Sequence, residues 1–302
     1  MVFIKKQIVN DIIYYLLVKN ERTKNKIEQN VLKRFRNYVE MYEYCKKHNI
    51  KTPEQELINI DLQERLLSKL KKLNSFRPLL TPTLESLKKK FEVNMTYNSN
   101  AIEGNRLSLK ETYLVLEKGL TIHGKSVKEH LEATNHKEAI EEMEKLIYKK
   151  ITEEDVLKLH QIILDKIKPK FAGVYRNGPV AITLSDHKPP KHTEIPKLMK
   201  QVFDLINNDS KGIDAIITAS KIHHLFVFIH PFWDGNGRLG RLLMDIKIMQ
   251  AGFPPVVLRK KDRPYYYEVL EDADKGDLAP LTTMIAKNAE ISLDLYLKVL
   301  ED

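Results

Sequence analysis

Between residues 230 and 241 the chain reads HPFWDGNGRLGR, setting a histidine, an aspartate, an asparagine, three glycines and two arginines between apolar runs. Gly235 and Gly237 let the backbone curl so that successive N–H groups converge, and they leave no Cβ in the way of an approaching anion. Arg238 and Arg241, three residues apart, suit two forked contacts to phosphate oxygens. Asp234 is a hard oxygen ligand for Mg2+ or Mn2+, ions that combine one or two carboxylates with phosphates and waters. His230 belongs to the residue type whose reference pKa lies near neutrality, which suits it to proton abstraction from an attacking hydroxyl. The set predicts a phosphoryl or nucleotidyl transfer site, whereas the glycines alone would be read as a tight interhelical turn. Neither a Walker loop nor the protein-kinase glycine loop with its companion motifs occurs.

The flanking elements give these residues their place. Residues 213–229 form an apolar helical stretch ending in FVFI, and 239–251 form another that stops at Gly252 before two prolines. Residues 230–238 therefore enter a helix N-terminus, where unpaired N–H groups and the positive end of the macrodipole favour anions. Three-to-four spacing also predicts helices over Ile8 to Leu17, Ile27 to Phe35 and Leu62 to Leu73. Thr81 before Pro82, Ser108 with Glu111, Ser126 with Glu129 and Thr152 with Asp155 mark helix starts. Residues 171–196 break the pattern: glycines and prolines bracket the β-branched run Val180 to Thr183, which predicts a small hairpin or flap.

With 302 residues, 42% hydrophobic and 30% charged, the chain can bury a sizeable core. Cys45 is its one cysteine, so no intramolecular disulfide forms, and a reducing cytoplasmic location is expected. The run IVNDIIYYLLV is interrupted by Asn10 and Asp11, which argues against a signal peptide or membrane span. Net charge is +9, yet residues 1–90 hold 20 Lys/Arg against 10 Asp/Glu, leaving 30 against 31 for the remainder. That excess predicts a solvated basic surface, with nucleic acid or an acidic partner at residues 1–90 as the alternative. A boundary near 48–55 separates a basic N-terminal helical extension, residues 1–60, from the main body.

The string 230–241 resembles the signature of the Fic family, H-P-F-x-[DE]-G-N-G-R-x-x-R, and SNAIEGN, 99–105, resembles the inhibitory motif of Fic proteins whose inhibitory helix precedes the core. The similarity continues through GKS, GVYR, MQAGFPP and YYYEVLEDADKGD and covers about residues 75–302, nearest to the metazoan endoplasmic-reticulum type. The resemblance implies a mainly α-helical Fic fold. Residues 61–110 would carry inhibitory motif 99–104, and residues 111–302 would form the core with flap 174–190 and catalytic loop 230–241. It implies transfer of AMP from ATP to a Ser, Thr or Tyr hydroxyl of a target protein. In those terms His230 is the base, Asp234 holds the metal, the 235–237 amides and Asn236 take the α-phosphate, and Arg238 and Arg241 take the outer phosphates. Leu239 and Gly240 complete the nucleotide loop, and Tyr266, Tyr267 and Asp274 lie toward adenosine, Asp274 replacing an asparagine of the metazoan relative. Leu184, Ser185, Asp186 and His187 of the flap lie near the nucleotide, the flap registering the target by strand addition. Glu103, with Ser99 and Gly104, is the inhibitory residue pairing with Arg241. The resemblance also admits Glu103-dependent removal of AMP from a modified protein, and relatives form homodimers. A reading of a different class is a nucleotide-sensing interaction module.

Overall fold

A computed structural model describes residues 2–9, 12–23, 26–35, 38–48, 50, 57–182 and 187–301. The chain divides into two units, Met1–Ile60 and Asp61–Asp302.

The first unit overturns the helical extension expected for residues 1–60. Strands β1 (Val2–Val9), β2 (Ile12–Thr23) and β3 (Lys26–Phe35) form an antiparallel sheet in the order β1-β2-β3, followed by helix α1 (Tyr38–Lys47). Val9 pairs with Ile12 and Thr23 with Lys26, so each connection is two residues long, and the β2–β3 register shifts between Leu17 and Val18. Tyr15 and Leu17, two apart and hence on one face of β2, build a small core with Phe35, Met41 and the buried Cys45. The continuous apolar run IIYYLLV satisfies helical spacing and strand alternation equally. Its β-branched and aromatic content, with Asn10-Asp11 before it, was the hairpin signal that decides the matter.

The second unit is helical. Helix α2 (Ile60–Ser75) buries Leu62, Leu66, Leu70 and Leu73. It is followed by α3 (Thr81–Ile102), α4 (Leu109–Lys118), α5 (Val127–Leu146) and α6 (Glu153–Leu164). After an irregular segment come α7 (Ile195–Ile206), α8 (Gly212–Ile229), α9 (Asn236–Gln250), α10 (Arg263–Asp274) and α11 (Ala279–Glu301). Length and composition alone would let α8 cross a membrane. In the fold it is the central helix, touched by α7, α9, α10 and α11, which accounts for apolar residues around its circumference.

Capping boxes form at Ser108/Glu111, Ser126/Glu129 and Thr152/Asp155, each satisfying two backbone donors. Thr81 does not cap: Leu80 holds the cap position without a side-chain bond, and Pro82 supplies the start through its fixed φ. Of the hairpin or flap expected at 174–190, residues 183–186 lie outside the described residues, and the described remainder of that segment carries no strand pairing. Two prolines in sequence, Pro189 and Pro190, remove donors that a returning strand would need.

Candidate active site

The end of α8 and the start of α9 meet in a turn whose backbone departs from ordinary L-residue geometry at two points. His230 closes α8 in the left-handed region, φ 49° and ψ 59°, a conformation of appreciable cost for a residue with a Cβ. Gly235 takes φ 76° before α9 begins. Arg176, itself buried, holds His230 in this conformation: its guanidinium donates to the carbonyls of His230 (2.8 Å), Gly178 (2.8 Å) and Pro190 (2.6 Å). Burial, with the nearby Arg176 charge, pulls the His230 imidazole down to about 4 against the opposing pull of the Val227 backbone, and its Nδ1 makes no hydrogen bond of regular geometry among the described residues. The ring is therefore neutral at pH 7 and free to take a proton.

Helix α9 opens at Asn236, so the N–H groups of Asn236, Gly237 and Arg238 have no intrahelical acceptor; the first closing bond runs from Leu239 N–H to Gly235 O (3.0 Å). Arg241 lies one turn along and is buried. It donates to Glu103 Oε1 (2.8 Å), the Ser99 carbonyl (2.9 Å), Ser99 Oγ (3.0 Å) and the Tyr266 hydroxyl (3.4 Å). Glu103 caps α3, and a Cβ placed on Gly237 would clash with its Oε1. A carboxylate thus already occupies the anion seat at the head of α9. Arg238 is also buried; among the described residues its Nε and Nη1 have no hydrogen-bond partner, and its nearest anions are Asp234 Oδ1 at 3.4 Å and Glu132 Oε1 at 3.6 Å. Two unsatisfied donors on a buried guanidinium carry a desolvation cost that an incoming anion would offset.

Asp234 accepts from Lys168 Nζ at 2.6 Å and from Gly235 N–H at 2.6 Å. Burial pushes its carboxyl upward, but Lys168 and Arg238 outweigh that and hold it below the usual carboxylate range, so it is ionised at neutral pH. Beneath the turn, His160 stacks on Phe232 with centroids 3.6 Å apart. His160 Nδ1 accepts from Gly173 N–H (2.9 Å), which fixes Nε2 as the donor to the Asp234 carbonyl (3.0 Å).

This arrangement can seat a polyphosphate on amides and guanidinium groups, with an ionised carboxylate beside it and a neutral imidazole at its edge. Residues 150–247 match the profile of the Fic/DOC family. A solved fragment of Fic-1 from C. elegans superposes with a TM-score of 0.71 at 32% identity, covering 80% of this chain and 73% of that one. The chain belongs to the Fic/DOC family. A Fic-domain signaling protein from Bacteroides thetaiotaomicron superposes with a TM-score of 0.70 at 26% identity, over 80% of this chain and 97% of that one. The protein adenylyltransferase Fic of Nematostella vectensis is 35% identical over 249 residues, 81% of this chain and 58% of the relative. This chain therefore spans little more than half the length of that relative.

Several residues carried over from the Fic resemblance are placed differently from expectation. Asn236 spends its side chain on Phe232, accepting from its N–H (3.0 Å) and donating to its carbonyl (2.8 Å), so only its backbone faces the anion seat. Leu239 is wholly buried, and a Cβ on Gly240 would come within 3.3 Å of His223 and Phe226; both serve the close α8–α9 packing. Tyr266 is buried with its hydroxyl between His223 Nε2 (2.9 Å) and Arg241, and it props the guanidinium. Tyr267 is partly exposed over the end of α3, its hydroxyl 3.5 Å from the Ile102 carbonyl. Asp274 accepts from His224 Nε2 (2.8 Å) and lies 3.4 Å from His187 Nδ1, while His187 Nε2 reaches the Phe228 carbonyl (2.8 Å). The carboxylate at 274 thus ties the flap's end to the core. Leu184, Ser185 and Asp186 lie outside the described residues. Sequence reasoning missed Lys168, His160 and Glu132, whose proximity to the turn no local pattern signals.

Proposed function

We propose that this Fic chain transfers the AMP moiety of ATP to a hydroxyl side chain of a target protein, and that Glu103 holds the activity back. The observation that carries this reading is the seating of the Glu103 carboxylate on Arg241 against Gly237, since a cradle that binds its own oxyanion is built for an external one. The metazoan relatives bearing the name protein adenylyltransferase support the same chemistry.

In the reaction the target oxygen attacks the α-phosphorus, the bond to the bridging oxygen breaks, pyrophosphate leaves, and the hydroxyl proton passes to His230. In place of the 235–237 amides expected from the resemblance, those of 236–238 hold the α-phosphate, because Gly235 N–H already donates to Asp234, and Arg238 and Arg241 hold the charge of the leaving group. One ionised carboxylate at the mouth of a phosphate seat fits Mg2+ or Mn2+, with Asp234 as the protein ligand. Bound there, the ion would neutralise charge on the phosphates. The backbone at 180–182, which carries no strand pairing among the described residues, offers an edge for strand addition by a target.

The deciding experiment compares ATP labelled at the α-phosphate with ATP labelled at the γ-phosphate. Protein-bound label is expected from the first alone; label from the second would replace AMP transfer with phosphate transfer. The Glu103 side chain is one-third exposed, which favours a second role as base for water in removing AMP from a modified target. Release of AMP from a pre-modified substrate by the wild-type protein, lost in Glu103→Gln, would establish it.

Two further outcomes follow from the electrostatics. Because burial depresses the His230 imidazole to about 4, its active, unprotonated form persists as pH falls through 6.5 and disappears only near the lowered value. The acid limb of kcat/KM should therefore lie well below pH 6; a limb at 6.5 would contradict the assignment. Lys168 competes with a metal for Asp234, so Lys168→Met should bind Mn2+ in the presence of a non-hydrolysable ATP analogue about three- to tenfold more tightly. Paramagnetic resonance of free Mn2+ measures this, and unchanged affinity would sink the competition.

A further inference from the structure

A groove of about 510 Å³ lies on the second unit between α3, α11 and the segment 257–261. Its floor is apolar, with Phe91, Val257, Ile291 and Leu295, and its rim carries Lys90, Arg259, Lys260 and Lys261 without a single carboxylate among the lining residues. That charge pattern contrasts with the adjacent surface. In the run Lys88-Lys89-Lys90, Lys88 pairs with Glu144 at 2.8 Å and Lys89 pairs with Glu117. Lys90 and the three cations facing it have no ion pair within 4.0 Å among the described residues, so four like charges line one concavity whose lining holds no carboxylate. Convergent like charges raise the potential of a cleft and draw counter-ions into it.

The walls are also fixed in place. Asn98 Oδ1 accepts from Lys260 N–H (2.9 Å), joining α3 to the basic segment, and Val256 N–H donates to Asp245 Oδ1 (2.7 Å), anchoring the start of that segment to α9. A pre-formed concavity of this size with an apolar floor and convergent charges has the character of a small-molecule site. It lies on the helix that ends in Glu103, on residues distinct from the nucleotide cradle.

We propose that this groove binds a small organic anion with an apolar body, its charge on Lys90, Arg259 and Lys261 and its body on Phe91, Ile291 and Leu295. The inference stands apart from the transfer reaction, because it uses none of the residues assigned to it.

The probe is 8-anilinonaphthalene-1-sulfonate, an aromatic sulfonate, titrated by fluorescence on the full chain. The wild-type protein should bind it saturably, and Lys90→Glu/Lys261→Glu should bind it at least about fivefold more weakly. Ile291→Asp, a change at a partly exposed position, should weaken it comparably, with circular dichroism verifying that both variants are folded. Saturating ATP and Mg2+ on the Glu103→Gly protein should leave the probe bound. The proposal is overturned if wild type does not bind the probe, if folded charge-reversed protein binds it unchanged, or if ATP displaces it and so places it in the cradle.

Discussion

Glu103→Gly should raise ATP-dependent self-labelling by roughly ten- to a hundredfold, the equivalent of the roughly 1.5–3 kcal/mol that a charge-assisted hydrogen bond contributes. The reason is competition for one guanidinium. Arg241 Nη2 is 2.8 Å from Glu103 Oε1, and a phosphate that needs the same donor must either displace the carboxylate or settle elsewhere. Removing the carboxylate does not strip Arg241 of partners, since Ser99 and Tyr266 remain on it, so the variant should fold. Adding His230→Ala to that background should then lower labelling by about a hundredfold or more, the usual contribution of a positioned general base. Label from the α-phosphate that persists in the double variant would remove His230 from the reaction. Labelling that Glu103→Gly leaves at the wild-type level would remove Glu103 from its control.

Gly237→Ala should abolish transfer whether or not Glu103 is present. The added methyl would clash with Glu103 Oε1 and stand 3.3 Å from Arg241 Nη1, which places it at the edge of the seat that the carboxylate now fills. In the wild-type background it would evict Glu103, and in the Glu103→Gly background it would exclude phosphate directly. Loss of donor geometry at such a seat costs about a hundredfold or more in rate. Calorimetry should show weakened ATP binding in Glu103→Gly/Gly237→Ala relative to Glu103→Gly. If Gly237→Ala alone instead activated the protein as Glu103→Gly does, the seat would not be where the phosphate lies.

The chemistry of the turn was legible because it is local. Two glycines, an aspartate and two arginines at the head of a helix determine a nest through backbone geometry and short-range spacing, and twelve consecutive residues contain all of it. The three serine- and threonine-led helix starts were legible for the same reason, each capping box closing within four residues. The N-terminal unit was not, because a continuous apolar run has no period of its own and acquires one only when it finds a partner strand.

What the residues alone determined, then, is the family signature, the helical character of residues 61–302 and the kind of ligand the turn attracts. Tertiary structure decided which of those residues meet it. Glu103 lies 138 positions from Arg241, Lys168 lies 66 from Asp234, and Arg176 lies 54 from His230. It also turned Asn236 and Leu239 away from the seat and into the framework. Local spacing sets backbone direction, whereas burial and the pairing of distant charges depend on how whole helices pack, and it is these that make His230 neutral, Asp234 ionised and the anion seat already filled.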